Sequence, residues 1–293
     1  ISSLSATSIN SFVASQTVKS LSCFSFLSIL YSSVGLDLPN HFILNNILLT
    51  DMINDVDKII NVSKLKTHGF AVFTGAVKNL FGLVPGTNKA EYHVNMPDIN
   101  NFANSLIDIC ECTKPSLHIM DGIDAMEGAG PSGGSKRHLG LILASENPHH
   151  IDLCACKIIG FGVNDVPTLR KAKERDLIED FDFNKDILGE NIENLIVEDF
   201  KKAPANSGNL RNIPKPIRNL LRDRLKSKPI FHHDICIGCG DCAANCPPVA
   251  IDMIDKKPEV DYNKCISCFC CQELCPVKAI TIKKPLLAKL LYK

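Results

Sequence analysis

The chain has 293 residues, with 32 Lys plus Arg against 32 Asp plus Glu. That balance provides no global field for nucleic acid, and no run of 18 or more apolar residues is available to span a bilayer. The length suits one large domain and one small one.

Residues 1–39 form a Ser-rich segment, with twelve serines, one Lys and no acid in the first 33 residues and no initial Met. The apolar patch Leu21–Leu30 after Lys19 mimics a signal peptide but lacks a small-x-small cleavage site. An incomplete or processed chain is the expectation. From residue 40 to 200, short strand-like and helix-like stretches alternate. Strands are expected at Lys58–Val62, Leu117–Met120, Leu139–Ala144 and Asn194–Val197. Helices are expected at Thr74–Leu83, Pro97–Cys112, His149–Ile159 and Val166–Leu177. The pattern predicts an α/β domain with a mostly parallel sheet. Neither a G-x-G-x-x-G nor a Walker A run is present to support a nucleotide cofactor.

Residues 201–228 make a basic linker with three prolines, nine basic residues and one acid, Asp223. Within it Pro216–Leu225 suits a short basic helix, either a solvated connector or a docking face for an acidic electron partner. A small iron–sulfur domain is expected at 229–284. The tail 285–293 carries Leu286, Leu287, Leu290 and Leu291 at helical spacing.

Nine of the 14 cysteines fall in the last 58 residues. Cys236, Cys239, Cys242 and Cys246 read C-x2-C-x2-C-x3-C-P, and Cys265, Cys268, Cys271 and Cys275 repeat it. This is the ligand run of a two-cluster ferredoxin, in which the fourth cysteine of each run ligates the other cluster. One [4Fe–4S] cluster is therefore expected on Cys236, Cys239, Cys242 and Cys275, the other on Cys265, Cys268, Cys271 and Cys246. Ala250–Ile251 and Ala279–Ile280 repeat after the two runs as apolar covers. Zinc is the competing occupant, at four cysteines per ion, but does not require the two C-P endings. Cys270, between two ligands, reads as a small buried neighbour of the cluster. Cys23, Cys110, Cys112, Cys154 and Cys156 read as core residues of a protein in a reducing cytoplasm.

Elsewhere, functional groups collect on expected turns. Lys64, Lys66 and His68 follow a buried strand, where α/β proteins hold ligand-binding loops. Thr74, Gly75, Lys78 and Asn79 open a helix, and with Lys64 and His93 they suit an anion. Asp121 and Glu127 are expected on a Gly-rich loop after a strand, with Pro131, Ser132, Gly133 and Gly134 behind them. If the domain is an oxidoreductase, Lys66 and His68 are the proton-transfer candidates, with Asp121 and Glu127 positioning a substrate or metal. Against this stands the structural alternative for each: an exposed charge, a capping histidine, a turn aspartate.

The strings Asn61–Gly69 (NVSKLKTHG), Phe73–Gly86 (FTGAVKNLFGLVPG), Lys89–His93 (KAEYH), Ile119–Gly134 (IMDGIDAMEGAGPSGG) and Leu141–Pro148 (LILASENP) resemble domain-of-unknown-function family 362 across roughly residues 40–200. The first thirty-odd residues match no recognised part of it. Members often carry a C-terminal pair of ferredoxin motifs. The resemblance implies a cluster-binding protein of unsettled activity. Two functions follow as expectations: an α/β domain that exchanges electrons through the clusters with a redox protein or a small-molecule donor or acceptor, or a non-catalytic carrier or assembly factor whose α/β domain binds a protein partner.

Overall fold

The computed structural model describes residues 33–37, 42–85, 89, 92, 95–96, 98–203 and 227–283. His93, Cys23, most of the Ser-rich segment, the Pro216–Leu225 stretch and the leucine tail lie outside them.

Strands β1 (Ser33–Asp37) and β2 (Asn46–Thr50) pair antiparallel, followed by a 3-10 turn at Asp51–Asp55. Strand β3 (Ile60–His68) runs six residues beyond the expected strand end at Val62 into polar sequence, and β4 (Val72–Thr74) folds back on its end. Helix α1 (Ala76–Asn79) continues as a 3-10 turn at Leu80–Leu83. Helix α2 (Ile99–Thr113) is capped by Asp98, whose carboxylate accepts from the amides of Asn100 and Asn101. Strands β5 (Leu117–Glu127) and β6 (Ser135–Ser145) are 11 residues each, well beyond the apolar runs Leu117–Met120 and Leu139–Ala144 that announced them. Helix α3 (Pro148–Ile158) starts on an Asn147 cap and α4 (Pro167–Glu174) on Pro167.

The sheet order is β4-β3-β5-β6, and it is mixed. Among the described residues parallel pairing is confined to β3 with β5, which the helical crossover between them permits. The short loops before β4 and β6 can only return their strands antiparallel. No strand forms at Asn194–Val197; Ile192–Leu195 is a 3-10 turn held by the Asn191 side chain on the Glu193 amide. The Val197 amide donates to the Ile158 carbonyl, and Leu195 and Val197 pack against the core.

The core lies on one side of the sheet, around Phe73, Phe102, Leu106, Ile109, Met120 and Ile158. Cys110, Cys154 and Cys156 are buried in it, and burial pushes their thiols up, away from ionisation. Asp108 of α2 is sealed in the same layer. It accepts from the Phe42, Ile43 and Leu44 amides and pairs with Arg175 at 2.9 Å, so its charge is fully met.

A polar network fastens α1 to the sheet. Asn61 donates to the Ala76 carbonyl and to His118 Nδ1 and accepts from Asn79. Because Asn61 donates to Nδ1, the neutral ring of His118 carries its proton on Nε2. Burial holds the His118 pKa at about 4. Above about 6.5 both folded and unfolded imidazoles are neutral, and stability is complete. As pH falls, the unfolded chain takes up a proton that the folded chain refuses, so stability declines from about 6.5 toward 4. Urea midpoints measured between pH 7 and 5.5 should fall in the native chain, by on the order of 1 kcal/mol in that window, and less in His118→Gln. Equal slopes in both would remove this account.

The small unit spans Lys228–Lys283. Strand β7 (Lys228–Phe231) pairs with β10 (Ile280–Lys283), while β8 (Ile251–Ile254) and β9 (Lys257–Val260) form a hairpin. Helices α5 (Asp241–Ala244) and α6 (Cys270–Leu274) lie within the two cysteine runs and carry Cys242 and Cys271. The internal repeat extends to the backbone: Gly238 and Ser267, Gly240 and Phe269, and Val249 and Lys278 take left-handed conformations in matched pairs. Among the described residues no helix is long and apolar enough to cross a membrane.

Candidate iron–sulfur sites and the interface beside them

Two clefts open in the small unit. One, of about 370 Å³, is lined by Cys236, Cys239, Cys242 and Cys275, with Ala279 and Ile280 as cover. The other, of about 330 Å³, is lined by Cys246, Cys265, Cys268 and Cys271, with Ala250 and Ile251. In each, the fourth cysteine comes from the opposite run. The chain crosses because the C-P ending turns it out of its own loop.

The surroundings suit a thiolate-held cluster. The linings are apolar, and backbone amides donate to sulfur: Gly238 to Cys236 at 3.4 Å, Ala250 to Cys246 and Ala279 to Cys275 at 3.2 Å each. Such bonds stabilise the negative charge of a cluster and its ligands. Cys270 is half-buried, and its side chain bonds Cys268.

The second run departs from the first where it meets the α/β unit. Gly240, Asp241, Ala243 and Ala244 are matched by Phe269, Cys270, Gln272 and Glu273. Phe269 and Gln272 are buried. Ser132 donates to the Gln272 carbonyl, and His68 Nε2 stands 2.9 Å from Glu273 Oε1. A methyl on Gly69 would lie 3.1 Å from Ile282, so the absence of a side chain there lets the two units close up.

The sequence candidates divide into two groups. Lys66 and His68 lie on β3 itself, not on a loop after it, because β3 extends through them. They share its outward face, and the small unit covers that face at His68, which is 1% exposed. His68 Nδ1 accepts from the Phe70 and Ala71 amides, so the proton of the neutral ring sits on Nε2, toward Glu273. Desolvation and the charge of Lys78 hold its pKa at about 4. His68 is thus a fixed neutral donor near neutral pH.

Lys66 and Lys78 are half-buried, and burial lowers both pKa values while Glu273 opposes the shift. Lys89 is drawn in the same way. Glu273 and Lys89 were missed in the sequence; the break in the internal repeat, Ala244 against Glu273, was the available signal.

The remaining candidates lie apart from the contact with Glu273. Lys64 pairs with Asp121 at 2.6 Å on the open sheet face, and this holds the Asp121 carboxyl below its usual range. Asp121 lies within β5, not on the Gly-rich loop, since backbone pairing with β6 continues past Gly122. Glu127 ends β5 and is buried on the other face, accepting from the Lys201 amide, with Lys201 Nζ at 3.3 Å. Asn79 is occupied by Asn61 and the Val62 carbonyl. Gly130 and Gly133 of the 128–134 loop serve packing: a methyl on Gly130 would fall 2.1 Å from the Thr67 carbonyl oxygen, and one on Gly133 would lie 3.2 Å from Gln272.

This arrangement defines an iron–sulfur protein in which an α/β unit is joined to a small domain of electron-transfer type. Residues 228–276 match the family model of the 4Fe-4S dicluster domain. Residues 17–157 match that of domain of unknown function DUF362, so the matched segment starts well before the point where the sequence strings become recognisable. Over 132 residues the chain is 39% identical to the thylakoid-associated protein sll1697 of Synechocystis sp.. The match covers 45% of this chain and 41% of that relative, so the chain spans well under half the relative's length.

Proposed function

We propose that the small domain carries two [4Fe–4S] clusters, one on Cys236, Cys239, Cys242 and Cys275 and the other on Cys246, Cys265, Cys268 and Cys271. The second of these exchanges electrons with the α/β unit. The clusters supply one-electron transfer at low potential. The chain's own residues hold them with thiolates, exclude water with the paired Ala-Ile covers, and dock the second site against β3. The observation that carries this reading is the seating of α6, through Glu273 and Gln272, on His68 and Ser132. On this reading Lys66 and Lys78 bind and orient an anionic redox substrate or face a redox partner. A reducing, cytoplasm-like compartment suits the free thiols.

A second reading has its own support. The open sheet face exposes Ile60 (56%), Val62 (63%) and Ile142 (47%). Apolar side chains grouped on an uncovered sheet suit a protein partner, so the α/β unit is then a docking module for a carrier.

Anaerobic purification should yield a brown protein with roughly eight irons per chain that gains a spin-1/2 resonance on reduction. A colourless product, or one loaded with zinc, refutes the redox reading. If substitution of Lys66 and Lys78 by Ala leaves reduction of every small-molecule acceptor untouched while Ile60→Asp plus Val62→Asp abolishes binding of a physiological partner, the second reading holds.

A further inference from the structure

The small unit turns its two cysteine runs to different surroundings. The second run meets the α/β unit, where Phe269 and Gln272 are buried. The first run is open, and its Cys239 is the exposed member of the eight ligand cysteines. On either side of Cys236 stand Ile235, 48% exposed, and Ile237, 63% exposed. The β8–β9 hairpin packs on the same loop. Lys257 Nζ donates to the His233 carbonyl at 2.6 Å and to the Cys236 carbonyl at 2.9 Å. A methyl on Gly238 would lie 2.7 Å from the Lys256 carbonyl oxygen. Ile254, directly across the hairpin from Lys257, is 51% exposed. Three isoleucines thus flank the loop that carries Cys236 and Cys239.

The charges beside this apolar face are mostly of one sign. Asp234, Asp241, Asp252, Asp255 and Glu259 are all exposed, and Asp241 lines the cleft with Ile237 and Cys239. Asp252 and Glu259 stand directly opposite each other on the hairpin, which costs stability because like charges repel across paired strands. Among the described residues none of these five carboxylates is in an ion pair. The pairs that form lie in the α/β unit or, for His68 with Glu273, across the seam. Lys256 and Lys257 are the cations of the hairpin, and Lys257 is held by two carbonyls. The second run lacks the pattern: Asn263, Lys264 and Cys270 stand where the first has Asp234, Ile235 and Asp241.

An apolar centre with a charged rim is the anatomy of a protein interface, and a small one suits a transient redox encounter. We infer that this face receives a one-electron carrier protein whose redox centre is ringed by Lys and Arg. The unpaired carboxylates complement such a rim and steer its approach, and its cations offset the Asp252–Glu259 repulsion. In the encounter the reduced carrier loses one electron and the first site gains it, by way of the exposed Cys239. No bond or proton moves. The first site is then the port to other proteins, and the second faces the chain's own α/β unit. This rests on the two-cluster reading above.

The test is calorimetric titration of the full, oxidised chain, without reductant, against two probes: cytochrome c, a haem carrier rimmed by lysines, and flavodoxin, an acidic one-electron carrier. Cytochrome c should bind, and its affinity should fall steeply between about 20 and about 200 mM salt. Asp234→Asn, Asp252→Asn and Asp255→Asn together should weaken it roughly tenfold and flatten the salt dependence. Glu179→Gln, Asp180→Asn and Glu198→Gln, three exposed acids of the α/β unit, should change it little. Ile235→Ser should weaken binding several-fold with the salt dependence kept. Carbodiimide should link cytochrome c lysines to the small unit's acids. Equal losses in the two triple variants, no binding of cytochrome c, or tighter binding of flavodoxin would overturn the inference. So would a dimer in sedimentation that Ile235→Ser dissolves, because a second copy then covers the face. These outcomes with about eight irons per chain sink the docking face alone. A native chain without clusters sinks the two-cluster reading, whatever it binds.

Discussion

Replacing Cys275 by alanine should empty the first site and leave the second loaded, although Cys275 belongs to the second cysteine run. The reason is geometric. Cys275 lines the cleft with Cys236, Cys239 and Cys242, and its own run is completed by Cys246. Iron should fall from about eight to about four per chain, and the lost signal should be the one also lost in Cys236→Ala. Cys246→Ala should give the mirror result, losing the signal shared with Cys265→Ala. Because metal binding is also folding energy, the emptied half should lose amide protection around β7, β10 and α5, and the α/β unit should keep its own. If Cys275→Ala removes the signal tied to Cys265, each run binds its own cluster and the crossing is wrong.

The second large effect is expected far from any cysteine. A methyl on Gly75 would lie 2.1 Å from Asp152 Oδ1 and 2.4 Å from Phe73 Cε1, closer than any packed atoms approach. Asp152 cannot retreat without loss. It is buried and accepts from the Ala76 amide at 2.6 Å and the Val77 amide at 3.2 Å, which fixes the start of α1. Gly75→Ala should therefore destabilise the α/β unit by about 3 kcal/mol, combining overpacking with lost capping bonds. For a unit of this size that lowers the melting midpoint by roughly 10 °C. Because α1 carries Lys78, the seam with α6 should loosen too, seen as faster amide exchange at 66–74 and 269–274. Adding Asp152→Ala should cost less than the two single changes summed, since the first clash partner is gone. A melting midpoint within a degree of native would show that the Gly75 contact is relieved for free.

Much of this was legible in one dimension. The eight cysteines that line the two clefts and the Ala-Ile pairs beside them were legible from a spacing used twice, because cluster chemistry tolerates little variation in ligand spacing. The helix at Ile99–Thr113 was legible from the Ile99, Phe102, Leu106 and Ile109 stripe, and its Asp98 cap fits the same frame. Strand lengths were not. β3, β5 and β6 run through Lys64, His68, Asp121 and Lys136, residues whose polarity suggests turns. They remain in strands because backbone pairing to a neighbour fixes them, and one sheet face is free to carry charge. The mixed pairing likewise depends on which strands become neighbours.

The site candidates show the same division. Lys66, His68 and Lys78 were picked as functional residue types, and the fold brings them to one seam. Asp121, Glu127 and Asn79 were picked on the same grounds, and the fold turns them to Lys64, Lys201 and Asn61 instead. Local sequence set the residue types and the ligand spacing, through bonds whose reach is a few residues. Only the packing of one unit on the other brought Glu273 to His68. That meeting is a long-range contact between segments some two hundred positions apart, and the free energy that forms it comes from surface each unit buries on the other.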